Sequence, residues 1–247
     1  MSARANPSRA VYLSEVVDHL DEGANFFDRL SAEQQRSVRR LARPLAVPRG
    51  KTVFRQGAPH AGIYLIEEGV VRSYYTSPSG REITLAYWTR GHFVGGPEIF
   101  GGGEHIWSGE AVENVRLLHL SGDALRTLTL RTPQFAIALV EGLVAKSKCY
   151  SALVHMLGTR SATERLAQLL IILGKAYGRS DGNRLVIEHR VTHNQLATII
   201  GATRQWVTVT LDRFRRKGII SVGRRAIVIE SLELLLEWTG DRKAGAK

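Results

Sequence analysis

The sequence predicts an α+β fold in three parts: an antiparallel β-domain, a long central helix, and a C-terminal helix-turn-helix with a β-hairpin. Short β segments punctuated by glycines run from Val47 to Leu120, which is typical of an antiparallel sandwich or barrel. A long helical pattern follows from Pro133 to Leu157. Two short helices, a tight turn and a hairpin then occupy residues 191–229. The predicted segments are 1–25 (extension), 26–132 (β-domain), 133–157 (central helix), 158–240 (C-terminal domain) and 241–247 (basic tail).

The β-domain is preceded by a helical pattern over residues 26–41. Its predicted core contacts are Phe27, Leu30, Val38 and Leu41. The clearest β segments are 53–54, 63–66, 70–75, 83–88 and 115–120. Ser121 is a suitable N-cap for a short helix that ends at Leu130.

Six positions of the central helix alternate four and three residues apart, as in a coiled-coil seam. They are Leu139, Leu143, Lys146, Tyr150, Leu153 and Leu157. This seam predicts a homodimer, with Lys146 as its charged member. The same helix can instead pack on its own β-domain. Both arrangements can coexist, because a long helix has more than one face.

The C-terminal domain begins after a candidate hinge, residues 158–160. Ser161 and Glu164 form a capping box that starts a helix. Its apolar positions predict the core of this domain: Leu166, Leu169, Leu170 and Leu173. A short strand over residues 184–188 and a closing helix over 231–238 complete the domain.

A helix-turn-helix is predicted from Val191 onward. Thr192 and Gln195 form the capping box of its first helix, and Gly201 ends that helix where a positive φ is needed. Thr203 caps the second helix. Its predicted buried residues are Val207, Leu211 and Phe214.

The positive charge of the chain is concentrated in its last third. Residues 158–247 carry 16 Lys/Arg against 8 Asp/Glu, whereas residues 1–157 carry 18 against 15. From Arg204 to Arg225 seven cations accompany one acid, Asp212. A solvated helical hairpin is the alternative reading, but such a surface usually mixes the two signs. The pattern therefore favours binding to double-stranded DNA, because a basic helix with a positive N-terminus suits phosphates and base edges.

Composition argues against several other classes of protein. The single cysteine, Cys149, excludes an intramolecular disulfide and, within one chain, a cysteine-ligated iron–sulfur cluster. No apolar run approaches the ~20 residues of a membrane span. The N-terminus has no apolar signal segment, so we expect a cytoplasmic protein without a membrane partner. The sequence contains no phosphate-binding loop motif, no serine-hydrolase motif, no dinucleotide-binding motif and no set of residues with metal-ligand spacing. We therefore expect neither an enzyme nor a metal site.

The chain resembles the Crp/Fnr family of bacterial transcription regulators over residues 26–229. The resemblance rests most strongly on residues 192–197 (THNQLA), 201–205 (GATRQ) and 218–220 (GII). In the β-domain it rests on residues 50–57, 63–69 and 91–95. The resemblance implies a β-roll of the cyclic-nucleotide-binding type, a central dimerisation helix and a C-terminal winged helix-turn-helix. It also implies a homodimer on a near-palindromic DNA site, with RNA polymerase as a partner.

The same resemblance implies which residues contact DNA. Arg204 matches the guanine-reading arginine of the family, and Gln205 stands where a base-contacting glutamate is usual and suits adenine. Val209 can offer at most an apolar contact. The implied base contacts are Arg204, Gln205, Thr208 and Val209. The implied phosphate contacts are His193, Asn194, Thr203, Trp206, Arg213, Arg224 and Arg225.

The effector pocket departs from the cyclic-AMP-binding members of the family. Gly96 stands where those members have a ribose-binding glutamate, and His105 and Ile106 replace the arginine and serine that bind the cyclic phosphate. A cyclic phosphate needs a fixed cation with donors, so we expect no cyclic AMP binding in the usual way. The candidate pocket residues are Gly95, Gly96, Glu98, Glu104, His105, Ile106, Trp107, Tyr150 and Ser151.

The identity of the effector stays open at this point. The pocket can take another small molecule, the regulator can work without an effector, or haem can bind through a histidine. The candidate axial ligands are His60, His92, His105 and His155. Two functional alternatives accompany these options: a cyclic-nucleotide-type module that regulates a protein partner, and a haem-based gas sensor.

Overall fold

The computed structural model describes residues 25–182, 184–187, 191–223 and 226–240, without the side chains of residues 176 and 177. The predicted tail 241–247, the extension 1–25 apart from its last residue, and Arg224 and Arg225 lie outside these ranges. The chain divides into two compact units between Ser151 and Ala152. In the described ranges, no helix is both long and apolar enough to cross a membrane.

The first unit opens with two helical segments where the sequence predicts one. A 3₁₀ turn covers Phe26–Arg29 and helix α1 covers Ala32–Leu41. Ser31 separates them because its side chain and that of Gln34 form a reciprocal capping box, which starts a new helix. Phe27, Leu30 and Val38 are buried as predicted, whereas Leu41 is exposed.

Eight strands in the described part of the first unit form two antiparallel sheets. They are β1 (Arg43–Val47), β2 (Thr52–Phe54), β3 (Gly62–Glu68), β4 (Val71–Thr76), β5 (Glu82–Trp88), β6 (Phe93–Val94), β7 (Ser108–Ala111) and β8 (Val115–Ser121). One sheet has the order β1-β8-β3-β6 and the other β2-β7-β4-β5. The predicted antiparallel domain is thereby confirmed. The sequence signal missed β1, which holds Pro44 at a sheet edge, and the short strands β6 and β7.

Two helices follow the last strand of the first unit. Helix α2 covers Gly122–Arg131 and begins at the predicted cap, because the Ser121 hydroxyl accepts from Ala124 N. Helix α3 covers Pro133–Thr159. Phe135, Ala138 and Leu139 near the start of α3 belong to the hydrophobic core that also contains residues of β3, β8 and α2.

The second unit is a helical core with a small sheet. Its elements are α4 (Ala162–Tyr177), β9 (Gly178–Asp181), β10 (Arg184–Ile187), α5 (His193–Ile200), α6 (Arg204–Arg216), β11 (Ile220–Val222), β12 (Ile227–Ile229) and α7 (Leu232–Leu236). The sheet is antiparallel in the order β11-β12-β10-β9. Leu166, Leu169, Leu170 and Leu173 are buried as predicted.

The predicted hinge is longer than the break that the structure shows. Helix α3 continues through Gly158 and Thr159, so Arg160 is the one residue between α3 and Ser161, the N-cap of α4. The Ser161–Glu164 capping box is present as predicted. The closing helix α7 is shorter than residues 231–238, with Ser231 as its N-cap.

Candidate nucleic-acid interface and ligand pocket

Local capping interactions build the turn between α5 and α6. Thr192 accepts from Gln195 N at 3.1 Å, while the Gln195 side chain accepts from Thr192 N at 2.8 Å. Gly201 has φ +66° and ends α5 in the left-handed region. Thr203 then accepts from Trp206 N at 3.2 Å and starts α6. All three sequence predictions for this turn are confirmed.

Helix α6 has one buried and one exposed face. Val207, Thr210, Leu211 and Phe214 are buried. The exposed face holds the residues predicted to contact bases: Arg204, Gln205, Thr208 and Val209. Val209 is an apolar side chain that is 59% exposed. The structure therefore brings the four predicted base contacts together on one solvent-facing surface.

The predicted phosphate contacts have more varied surroundings. Asn194 and Thr203 are exposed, and Trp206 is partly buried. His193 Nδ1 lies 2.8 Å from the Thr208 hydroxyl. Arg213 donates to the Thr163 hydroxyl at 3.2 Å and lies over the Trp238 ring, 5.1 Å from its centroid.

The basic end of α6 is partly neutralised by its own acid. Arg215 donates to Asp212 Oδ1 at 2.6 Å, and Arg216 pairs with Oδ2 of the same carboxylate. These hydrogen bonds, that from Arg215 foremost, lower the pKa of Asp212. Lys217 lies over Trp238. The arginines of this helix end are thus ordered by partners, which their sequence clustering alone does not reveal.

Two residues that the sequence reasoning missed support this interface. Trp238 packs edge-on against Phe214 with ring centroids 5.4 Å apart. Arg165 donates to three backbone carbonyl oxygens: Ile200 O at 2.8 Å, Arg160 O at 2.7 Å and Leu157 O at 3.3 Å. Arg165 therefore ties the ends of α3 and α5 to α4. An arginine four residues after a helix cap is no signal for this role, because its partners are distant in sequence.

The candidate ligand pocket centres on two buried histidines. The rings of His60 and His105 lie 4.3 Å apart between centroids. His105 Nδ1 donates to Gly95 O at 2.8 Å, and His60 Nδ1 accepts from Gly62 N at 3.3 Å. Burial lowers the pKa of His60 to about 4 and also lowers that of His105. Both rings are therefore neutral near pH 7.

The other predicted pocket residues do not all converge on this pair. Gly96 does, because a Cβ built on it would lie 2.8 Å from His60 Nε2. Trp107 instead packs against Tyr150, with ring centroids 5.6 Å apart. The remaining predicted positions are exposed: Glu98, Glu104, Ile106 and Ser151. In the described residues no group of three or more His, Cys, Asp or Glu side chains is arranged to hold a metal ion.

Most of the face that carries the predicted coiled-coil seam is at least partly covered within the chain itself. Leu139 and Leu153 are buried, and Leu143 packs against the core of the first unit. Lys146 Nζ lies 3.5 Å from the centroid of Trp88. Tyr150 packs against Trp107, and the last member, Leu157, is partly buried. A side chain covered by its own chain has little surface left for a second copy.

A different face of α3 is exposed and apolar. Ile137, Val140, Val144 and Val154 are 48%, 58%, 47% and 69% exposed. The exposed residues Ser147 and Ser151 lie between them. Together these six positions again alternate three and four residues apart. We call them the α3 stripe.

Each of the two structural units matches a known protein family model. A family model described as cyclic nucleotide-binding domain matches residues 44–132, and one described as Crp-like helix-turn-helix domain matches residues 164–238. A CRP-like cAMP-activated global transcriptional regulator from Mycobacterium tuberculosis is 26% identical over 89% of this chain and 98% of that protein. The fumarate and nitrate reduction regulatory protein of Escherichia coli K12 is 22% identical over 81% of this chain and 80% of its own length.

The fold is similar to that of a solved regulator as well. The c-di-GMP responsive global regulator CLP of Xanthomonas campestris superposes with a TM-score of 0.74 at 20% identity, over 81% of this chain and 100% of that one. The two family models occur in the order and at the positions of the two structural units.

The chain belongs to the Crp/Fnr family. Members of this family are DNA-binding transcription regulators rather than enzymes. The α+β fold predicted from the sequence, with its β-roll and its C-terminal helix-turn-helix, is thereby confirmed.

Proposed function

We propose that this Crp/Fnr regulator reads DNA with the exposed face of α6. The observation that carries the proposal is the joint exposure of Arg204, Gln205, Thr208 and Val209 next to a helix N-terminus. An arginine at that end can donate two hydrogen bonds to guanine, and a glutamine can do the same with adenine. We assign phosphate contacts to Asn194, Thr203, Trp206 and Arg213 and also to Arg224 and Arg225, which lie outside the described residues.

Selection of bound duplexes from a random pool tests this proposal. We expect a near-palindromic motif with a guanine in each half-site. Replacing Arg204 by alanine should cost ~1–3 kcal/mol of binding and relax the preference at one base pair per half-site. The exposed Arg36 of α1 gives a matched control, since Arg36→Ala removes the same charge in the other structural unit. A motif that survives Arg204→Ala without change would remove Arg204 from base reading.

We also propose that the regulator acts as a homodimer through the α3 stripe. Its apolar and small side chains carry no charge, and their alternating spacing is that of helices that pair side by side. Large apolar side chains clustered at the surface usually mark an interface. Two copies joined here would present two α6 helices, as a palindromic site requires.

Sedimentation of matched variants tests the dimer. Val144→Glu in the stripe should shift the protein toward monomer and weaken binding to a palindromic duplex by more than tenfold. Leu130→Glu is the control, because Leu130 is 84% exposed but lies on α2. A dimer that resists Val144→Glu and Val154→Glu together would refute the assignment of this face.

We propose further that cyclic AMP does not control this protein. The M. tuberculosis relative is named as cAMP-activated, but here the two positions that the family resemblance assigns to the cyclic phosphate are His105 and Ile106. His105 is neutral and donates its Nδ1 proton to Gly95 O. The backbone N–H groups of Gly101 and Gly102 are also engaged, by Glu98 O and His60 O. Titration calorimetry with cyclic AMP should show no binding, and DNA affinity should not change on adding it.

RNA polymerase is the protein partner that we propose for the DNA-bound dimer, and the cytoplasm is the compartment where such a partner and target occur. Co-purification of polymerase on a duplex that carries the selected motif, against a duplex with a scrambled motif, tests this. Equal recovery on both duplexes would contradict it.

A further inference from the structure

The hydroxyl of Thr208 is engaged on two sides. It lies 3.0 Å from Arg204 O, one helical turn earlier in α6, and donates its proton to that carbonyl. It also lies 2.8 Å from Nδ1 of His193, the first residue of α5. Thr208 itself is exposed on the face that holds Arg204 and Gln205.

The single proton of the Thr208 hydroxyl determines the direction of its hydrogen bond with His193. A hydroxyl has one proton and two lone pairs. Since the proton goes to Arg204 O, the hydroxyl oxygen must accept from His193. His193 therefore carries a proton on Nδ1 and donates it to the Thr208 oxygen. This hydrogen bond joins α5 to the exposed face of α6, so the role of His193 here is to position Thr208.

The Thr208 oxygen then has one lone pair left and no proton to offer. In the major groove, adenine and cytosine present amino groups that donate, at N6 and N4. Guanine and thymine present acceptors, O6 and N7 or O4, at the matching places. An oxygen that can only accept pairs with the first two bases and is repelled by the others.

We propose that Thr208, held by His193, is a specificity-determining acceptor that selects adenine or cytosine at one position of each half-site. This inference rests on the proposed DNA binding through α6. It assigns to Thr208 a readout that differs from the donor readout of Arg204, and it makes His193 a positioning residue for Thr208.

Four substitutions remove or keep the two hydrogen-bonding groups, the Thr208 hydroxyl and the His193 Nδ1 donor. Thr208→Val keeps the shape of the side chain and removes the oxygen, whereas Thr208→Ser keeps the hydroxyl. His193→Asn keeps an N–H donor at about the place of Nδ1, because both nitrogens are two bonds from Cβ. His193→Leu removes the donor.

Random-pool selection with the whole protein, at one fixed salt concentration, gives the decisive readout. The wild type should prefer adenine or cytosine over guanine and thymine by about three- to tenfold at one position per half-site, as expected for one hydrogen bond. Thr208→Val should reduce that preference to less than twofold and leave the other positions unchanged. His193→Leu should reduce it at the same position, and Thr208→Ser and His193→Asn should retain it.

The outcomes separate this inference from the DNA-binding proposal. A motif that responds to Arg204→Ala but has guanine or thymine at the Thr208-dependent position would overturn the acceptor assignment alone. So would a motif in which no position depends on Thr208, or one in which His193→Leu behaves like the wild type. If no duplex is enriched by the wild type, the proposed function itself fails. Circular dichroism melting curves confirm that each variant is folded.

Discussion

Replacing Lys146 by methionine is expected to stabilise the folded protein near pH 6. The ammonium group of Lys146 lies over the rings of Trp88 and Phe93, at 3.5 and 4.9 Å from their centroids. No carboxylate within the described ranges is paired with it. Burial lowers the pKa of Lys146 from 10.5 to about 7. Methionine keeps a flexible apolar chain of similar length and removes the buried charge.

The magnitude follows from this pKa. A fall from 10.5 to about 7 corresponds to a cost of about 5 kcal/mol for holding the charged amine in the folded state. The Trp88 face returns up to ~2 kcal/mol as a cation–π contact. The residue also keeps part of its surface accessible, which reduces the cost further. We therefore expect Lys146→Met to raise the free energy of unfolding by about 1–3 kcal/mol at pH 6.

The stabilisation by Lys146→Met should decrease as the pH rises. The folded-state pKa of Lys146 is below the unfolded one, so the cost is complete below pH 7 and shrinks as pH rises from 7 toward 10.5. Across that range the unfolded chain binds more protons, and the stability of the wild type should rise relative to that of the variant.

Guanidinium unfolding at pH 6 and pH 9.5, at one protein concentration, measures both effects. Lys148→Met is the matched control, because Lys148 is an exposed lysine on the same helix and should change little at either pH. A Lys146→Met variant that is less stable than the wild type at pH 6, or whose advantage does not shrink at pH 9.5, would refute the reasoning.

Two further predictions concern the junction next to the helix-turn-helix. Arg165→Ala should lower the free energy of unfolding by about 3 kcal/mol, because three carbonyl oxygens lose a charged donor. The control is Lys175→Ala, an exposed position on the same helix, which should change the free energy of unfolding by less than about 0.5 kcal/mol. Equal effects of the two substitutions in thermal melts would contradict the role of Arg165. Gly201→Ala should destabilise by about 1–2 kcal/mol, since φ is +66° and Leu157 Cδ2 would lie 3.2 Å from the new Cβ. Gly158 lies within helix α3 and a Cβ added to it would face open space, so Gly158→Ala should instead stabilise the protein by ~0.5–1 kcal/mol. A Gly201→Ala variant as stable as the wild type would argue against the left-handed turn.

Features that depend on a few neighbouring residues were predictable from the sequence. The capping boxes at Ser161 and Thr192 and the buried face of α6 lie within one or two helical turns, so residue types and spacing suffice to indicate them. The break at Ser31 shows the limit of this reasoning, since apolar periodicity alone continued the helix through a cap.

Features that depend on distant partners were not predictable. Two faces of α3 carry the same alternating spacing, and the one chosen from the sequence is largely covered by the chain itself. The cations of α6 look alike in sequence, yet Arg215 and Arg216 pair with Asp212 while Arg213 lies over Trp238. Which partner each side chain meets is set by packing across long sequence separations.

By itself, the sequence determined the family, the order of the domains, the helix-turn-helix and the exposed residues of its second helix. Capping, glycine turns and amphipathic spacing are short-range effects, and each is encoded within a few adjacent residues. The tertiary structure alone decided which α3 face stays exposed, that His60 and His105 are buried side by side, and that His193 contacts Thr208. These pairings join residues from separate elements, so their hydrogen bonds and burial energies exist only after the chain has folded.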